Sequence, residues 1–279
     1  MVVVSLAISH VVRHRRTLDA VSALLDVRAR LRDGSDILVA DLRGSSPVGD
    51  SLLFVSDTAL EFFSAIGTST VCASSAPNQI VLPPDTLASG RILSSWVAGP
   101  DTGDDVLVLV DSSSGARWRR ARITSFRTVA TSIGCPASAG LLSASDVVGS
   151  GRSYEATFDP WVSLAAQRGA PVRIVRRVRY SVYRGGDGKW YLGYRRCSGG
   201  CTAIQPVSGP YESISGPPMS FSYYTGTGAP FTGGGPTAEV ARVEIVSRAS
   251  STRQVRLPGM AAQPIRDSAI AVITLRNRW

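Results

Sequence analysis

The spacing of apolar residues changes once along this chain, near Gly49, and the change divides it into two unequal parts. From Thr17 to Leu42 the apolar residues Leu18, Val21, Leu24, Leu25, Leu31, Leu38 and Leu42 recur at intervals of three, four and seven, while Asp19, Arg28, Arg30, Arg32, Asp33 and Asp36 fill the other faces. That spacing predicts one amphipathic helix with a packing stripe. Gly34 should weaken it by about 1 kcal/mol relative to alanine. Gly44 suits the left-handed position past the last turn, and Pro47 cannot continue a helix, so "RGSSP" is the expected stop.

After Gly49 the period becomes two. "SLLFVS", "ALEFFSAIG", "STVCAS", "QIVLP", "DVLVLVD" and "RWRRARITSF" are short runs of strand formers separated by turn residues, and they predict an antiparallel meander. "PVRIVRRVRYSVYR" sets Val172, Ile174, Val178, Tyr180 and Val182 on one face against Arg173, Arg177 and Arg179 on the other, as a half-buried strand. "GGDG" should turn it back into "KWYLGYRRC" as a hairpin. "AEVARVEIVSR" and "SAIAVITLRN" are later strands, and residues 225–237 read as a mobile loop between strands. The expected class is α+β: a long N-terminal helix, residues 1–44, packed on an antiparallel β-rich head, residues 45–279.

The opening "MVVVSLAISHVVRHRR" places its charges after the apolar run, the reverse of a signal peptide, and is too short to span a membrane alone. It runs into the amphipathic segment without a breaker, so a single helix over 1–42 is expected. With 279 residues, 44% hydrophobic, the chain can bury a substantial core. Its net charge of +9 is nearly all arginine, Lys189 being the one lysine, and it permits contact with nucleic acid, anionic lipid or an acidic protein without choosing among them.

Cys72, Cys135, Cys197 and Cys201 are an even set in a His-poor chain, which suits two disulfides in an oxidising compartment and allows three connectivities. The short loop of "CSGGC" favours Cys197 with Cys201, leaving Cys72 with Cys135. A four-thiolate zinc site is the rival, on weak spacing, and reduced buried thiols are a third reading.

The candidates for chemistry lack partners. "GDSL" at Gly49–Leu52 looks like an ester-hydrolase nucleophile block, but Ser51 needs a histidine base, and the two histidines are His10 and His14. Those two are spaced i, i+4, as paired metal ligands on a helix are, but no third ligand is evident. "PDTGDDV" offers Asp101, Asp104 and Asp105 without the ligand series of a calcium loop, and "GGDGKW" lacks the P-loop spacing. No catalytic, cofactor-binding or metal-binding set is therefore assigned, and no cofactor is expected. The arginines Arg173, Arg177 and Arg179, with Arg195 and Arg196 beside Trp190, Tyr191 and Tyr194 on the next strand, are a candidate anion or nucleic-acid face.

Taken in order, "VVVSLAISHVV", "ALLDVRARLRDGSDILVADLRGSSP", "GDSLLFVSDTALEFFSAIGTSTVC", "YSVYRGGDGKWYLGYRRC" and "AEVARVEIVSR" resemble the prepilin-like proteins, nearest the W-type minor pilins of type IV pili and the J-type pseudopilins of type II secretion. The resemblance is one of pattern and order over most of the chain. The family opens with a basic leader, a cleavage-point glycine and a glutamate, none of which residues 1–16 contain, so residues 1–12 are expected to be the back half of a membrane and filament helix. The resemblance implies a pilin-like fold and a non-enzymatic subunit that helps prime or cap a pilus or pseudopilus. It implies other pilin-like subunits as partners through the N-terminal helix, the inner membrane before assembly, and a periplasmic or extracellular head. The alternative is an exported nucleic-acid-binding module, for instance a pilus tip that captures DNA.

Overall fold

The computed structural model describes residues 2–45, 52–111, 115–149, 151–159, 166–211, 216–233, 236–256 and 261–275. The proposed stop at Pro47 and the Gly49–Ser51 part of the GDSL motif lie outside the described residues. One helix, α1 (Val2–Gly44), precedes a long run of strands.

The α+β class is corrected. Strands make up 50% of the chain and helical residues 21%, almost all of the latter in α1, so the fold is a mainly antiparallel β-structure carrying one long helix. The physical reason is the density of Val, Ile, Tyr and Phe at period two after residue 50, which builds two sheets and leaves only single turns of helix between strands.

The larger sheet contains β1 (Leu52–Val55), β2 (Ala59–Thr70), β3 (Ala73–Ala76), β4 (Gln79–Leu82), β5 (Ser95–Trp96), β6 (Asp105–Val110), β7 (Arg117–Ala130), β8 (Arg152–Phe158), β9 (Pro171–Arg184), β10 (Trp190–Arg196) and β11 (Gln205–Tyr211). Its main path runs β1-β2-β9-β6-β7-β8-β4-β3, with β10 joining β9 to β11. The expected meander is therefore corrected too. β9 inserts between β2 and β6, pairing with both, and its mostly apolar face of Val172, Ile174, Val178, Tyr180 and Val182 adds to the core on that side. The hairpin from β9 to β10 forms across Gly185–Gly188, with Gly188 at a φ of 76°. "ALEFFSAIG" and the following "TST" form one strand, β2, which a bulge near Ile66 bends without breaking.

A second sheet, β12 (Met219–Thr225), β13 (Val240–Val255) and β14 (Gln263–Thr274), pairs in that order. The main core lies between the sheets and α1. Val27, Leu31, Leu38 and Leu42 of the helix meet Phe62, Val178, Tyr180 and Leu192 of the large sheet and Phe221, Val243 and Ile245 of the small one. A second core, around Ile80, Val106, Ile123, Phe158 and Ile174, is built from β4, β6, β7, β8 and β9 of the large sheet.

The buried stripe of α1 is Ala20, Val27, Leu31, Gly34, Leu38 and Leu42, with Leu24 half-buried. Leu18, Val21 and Leu25 are corrected as head-packing residues, being 56%, 49% and 60% exposed. Val21 and Leu25 each sit one residue on from a seated position, Ala20 and Leu24, a rotation of about 100° round the helix that turns them from the sheets, and Leu18 lies ahead of Ala20 in the exposed stretch. Gly34 is the point of closest approach: a Cβ there would lie 2.0 Å from the Tyr211 hydroxyl. Among the described residues no helix is long and apolar enough to cross a membrane.

Candidate functional site

Two surfaces carry what the sequence singled out. The first is the unseated side of α1. Residues 10–19 are all exposed, and Val11, Leu18, Val21 and Leu25 form an apolar line along them at spacings of three, four and seven. His10 and His14 lie on the same exposed stretch, with no third metal-ligating group beside them among the described residues.

The second is the outer face of the large sheet, away from α1. The period of two in β9 puts Arg173, Val175, Arg177 and Arg179 on this side. The register adds Phe54, Glu61 and Phe63 from β1 and β2, Asp105 and Leu107 from β6, and Trp118, Arg120 and Arg122 from β7. A small apolar cluster of Phe63, Leu107 and Val175 is roofed by arginine side chains. Arg120 lies over Phe63 at 4.4 Å, Arg173 over Trp118 at 5.0 Å and Arg179 over Phe54 at 4.6 Å, measured to the ring centres. Stacked this way a guanidinium keeps its N–H edge directed outward.

Two carboxylates offset part of this charge. Arg177 bonds the buried Glu61, and Arg120 and Arg122 flank Asp105 at 3.3 and 3.7 Å. Burial raises the Asp105 carboxyl above its ordinary value, against the pull of those two arginines. Arg195 stands directly opposite Arg179 on the neighbouring strand, two like charges in register.

Arg196 is not part of this face. It turns to the other side of β10, donating from Nη1 to Asp101 Oδ2 at 2.8 Å and contacting Asp104 at 3.4 Å. There it borders a buried ion pair that sequence reasoning missed: Arg176 Nε and Nη2 grip the two oxygens of Asp104 at 2.9 and 2.7 Å. The available signal was an arginine at 176 in phase with the apolar side of β9. Of the three aromatic residues proposed beside the arginines, Tyr191 shares the outer side and packs on Tyr183, whereas Tyr194 stacks edge-on against Tyr180 and Trp190 packs on the main core. The aromatic members missed from sequence, Phe54 and Trp118, sit on strands far apart in the chain and become neighbours through β2, β9 and β6.

Cys72 is joined to Cys135 and Cys197 to Cys201, so the four sulfurs do not share one zinc site. Glu61, Cys197 and Cys201 bring ligand atoms within 4.8 Å of one another, but both sulfurs are in a disulfide and the carboxylate is held by Arg177. Asp101, Asp104 and Asp105 are each engaged by arginine, which accounts for the aspartates of "PDTGDDV" without a cation. No family model, curated protein or solved structure matches the chain.

Proposed function

We propose that this protein is a non-enzymatic assembly subunit of the minor pilin or pseudopilin kind, held in the inner membrane before assembly, with a periplasmic or extracellular head, and joined to other pilin-like subunits through α1. The observation that carries the reading is the division of labour along one continuous helix. Its C-terminal half is seated on two sheets, and its N-terminal half presents an apolar line, Val11, Leu18, Val21 and Leu25, that the head leaves uncovered. Such a line suits a neighbouring helix, into whose grooves it can pack.

The test is the N-terminal sequence and intact mass of the protein recovered from the membrane or sheared-surface fraction of its host. A processed, methylated apolar N-terminus upstream of Met1, followed by a glutamate, supports the reading. A native N-terminus at Met1 in the soluble fraction overturns it.

The outer sheet face favours a second reading, binding of single-stranded nucleic acid. Its support is the stacking of guanidiniums on Phe54 and Trp118, which pairs phosphate contacts with surfaces for bases. Binding of a single-stranded oligonucleotide should fall steeply between 50 and 200 mM salt, by roughly the 300-fold expected for about six phosphate contacts. It should be lost in the Arg173→Glu, Arg179→Glu variant. Absence of binding at low salt removes this reading and leaves the first untouched.

A further inference from the structure

A cleft of about 590 Å³ lies between α1 and the end of β13. Arg15, Arg16 and Arg30 line it from the helix, and Arg253 and Arg256 from the strand end. Five guanidiniums there face two carboxylates, Asp19 and Asp26. Arg15 with Asp19, and Asp26 with Arg30, are spaced i, i+4, the spacing at which helical ion pairs ordinarily form. Neither pair closes. Among the described residues none of the five arginines comes within 4.0 Å of a carboxylate oxygen. Arg30 Nη1 is moreover buried without a hydrogen-bond partner.

A buried donor with no acceptor is costly, and like charges lining a concave wall raise the potential at its centre. The crowding of like charges is relieved by one event, the entry of an anion. Arginine forks match phosphate oxygens in bidentate geometry. We propose that this cleft binds a molecule carrying a phosphate ester. The phosphate sits among the guanidiniums of the arginines that line the cleft. The cleft falls in the size range of small-molecule sites, so a group larger than the bare ion enters. Asp19 and Asp26 can accept hydrogen bonds from hydroxyls on that group, and Thr252 and Gln254 offer neutral partners. A soluble phosphate ester and a phosphoglycerol lipid headgroup share this chemistry.

The experiment uses the full chain and two probes: glycerol phosphate followed by calorimetry, and sedimentation with phosphatidylglycerol vesicles against phosphatidylcholine vesicles. Arg16→Gln with Arg253→Gln removes two exposed cleft cations that hold nothing in the fold. Arg30→Gln removes a third cleft cation, and Arg152→Gln with Arg168→Gln, two exposed arginines outside the cleft lining, serves as the control. Saturable glycerol phosphate binding, weakened tenfold or more by the cleft variants and unchanged in the control, supports the site and identifies a soluble ester. Sedimentation with phosphatidylglycerol alone, with the same dependence on the cleft, supports it and identifies a headgroup. Failure of both probes on the unaltered protein at low salt overturns the proposal. So does binding that the cleft variants leave intact.

Discussion

At the scale of single residues, the fold rests on charges placed where they cannot reach water. Asp104 is fully buried and its partner Arg176 nearly so. Removing one member of such a pair strands the other, so Asp104→Asn should cost about 3–5 kcal/mol, read as a fall in the urea unfolding midpoint. Replacing Asp104 and Arg176 together with apolar residues should cost less than the single change. Two other aspartates respond to pH in opposite senses. Burial lifts the Asp41 carboxyl above its ordinary value, although the Tyr180 hydroxyl donates to it at 2.6 Å. Its contribution to stability is therefore greatest below the unfolded value, roughly 3.9, and is lost as pH rises through the folded one. Asp41→Asn keeps an oxygen for Tyr180, and should match the parent protein near pH 4 and exceed it at pH 7. Asp146 is the reverse case. The Ser143 hydroxyl and the Ser89 amide hold its carboxyl well below the ordinary range, so Asp146→Asn should lose stability at pH 7 and lose less as the medium is acidified.

At the scale of elements, α1 separates positions that look alike in sequence. Leu31→Ala and Leu38→Ala empty sites in the main core and should each cost about 2–5 kcal/mol. Leu18→Ala and Leu25→Ala touch no core and should stay within about 0.5 kcal/mol in the isolated chain. Thermal or urea denaturation of the four variants checks both halves. Gly34→Ala should be destabilising although alanine favours helix: the gain of about 1 kcal/mol is outweighed by a collision with Tyr211 of the overpacking kind, about 1–3 kcal/mol.

These cases show how much could be read in advance. The existence of α1, the bounds of β9 and its hairpin with β10 are local, because periodicity and turn residues within one segment decide them. Which of two adjacent helical stripes is seated was not legible, since Leu24 and Leu25 are chemically identical and only the distant sheets distinguish them. The insertion of β9 between β2 and β6 depends on pairings more than 60 residues apart, as with Leu107 opposite Arg173. The outer arginine face was half legible: the alternation in β9 marked Arg173, Arg177 and Arg179, but Arg196 left it for Asp101, an acid supplied by a loop nearly a hundred residues away.

At the scale of the whole molecule, the two sheets and the helix are tied by contacts of long range, and the disulfides act unequally on them. Cys72–Cys135 closes a separation of 63 residues and anchors the small core around Val81, Leu87 and Leu142, whereas Cys197–Cys201 spans only 4. The loss of chain entropy predicts about 4 kcal/mol for the first and about 2 kcal/mol for the second. Cys72→Ala with Cys135→Ala should accordingly lower the urea midpoint further than the paired change at 197 and 201.

The helix also has a mechanical character. α1 is roughly 65 Å long, and among its described side chains, from residue 10 onward, the first buried one is Ala20. A rod clamped along part of its length is a cantilever. A sideways load on the exposed stretch of residues 10–19 becomes torque about the clamp, where Ala20 is the first contact loaded and the exposed pair of Arg28 with Asp267 adds little energy. A pull along the axis meets Val27, Leu31, Leu38 and Leu42 in parallel, all of which must leave the core together. The molecule yields to bending and resists traction.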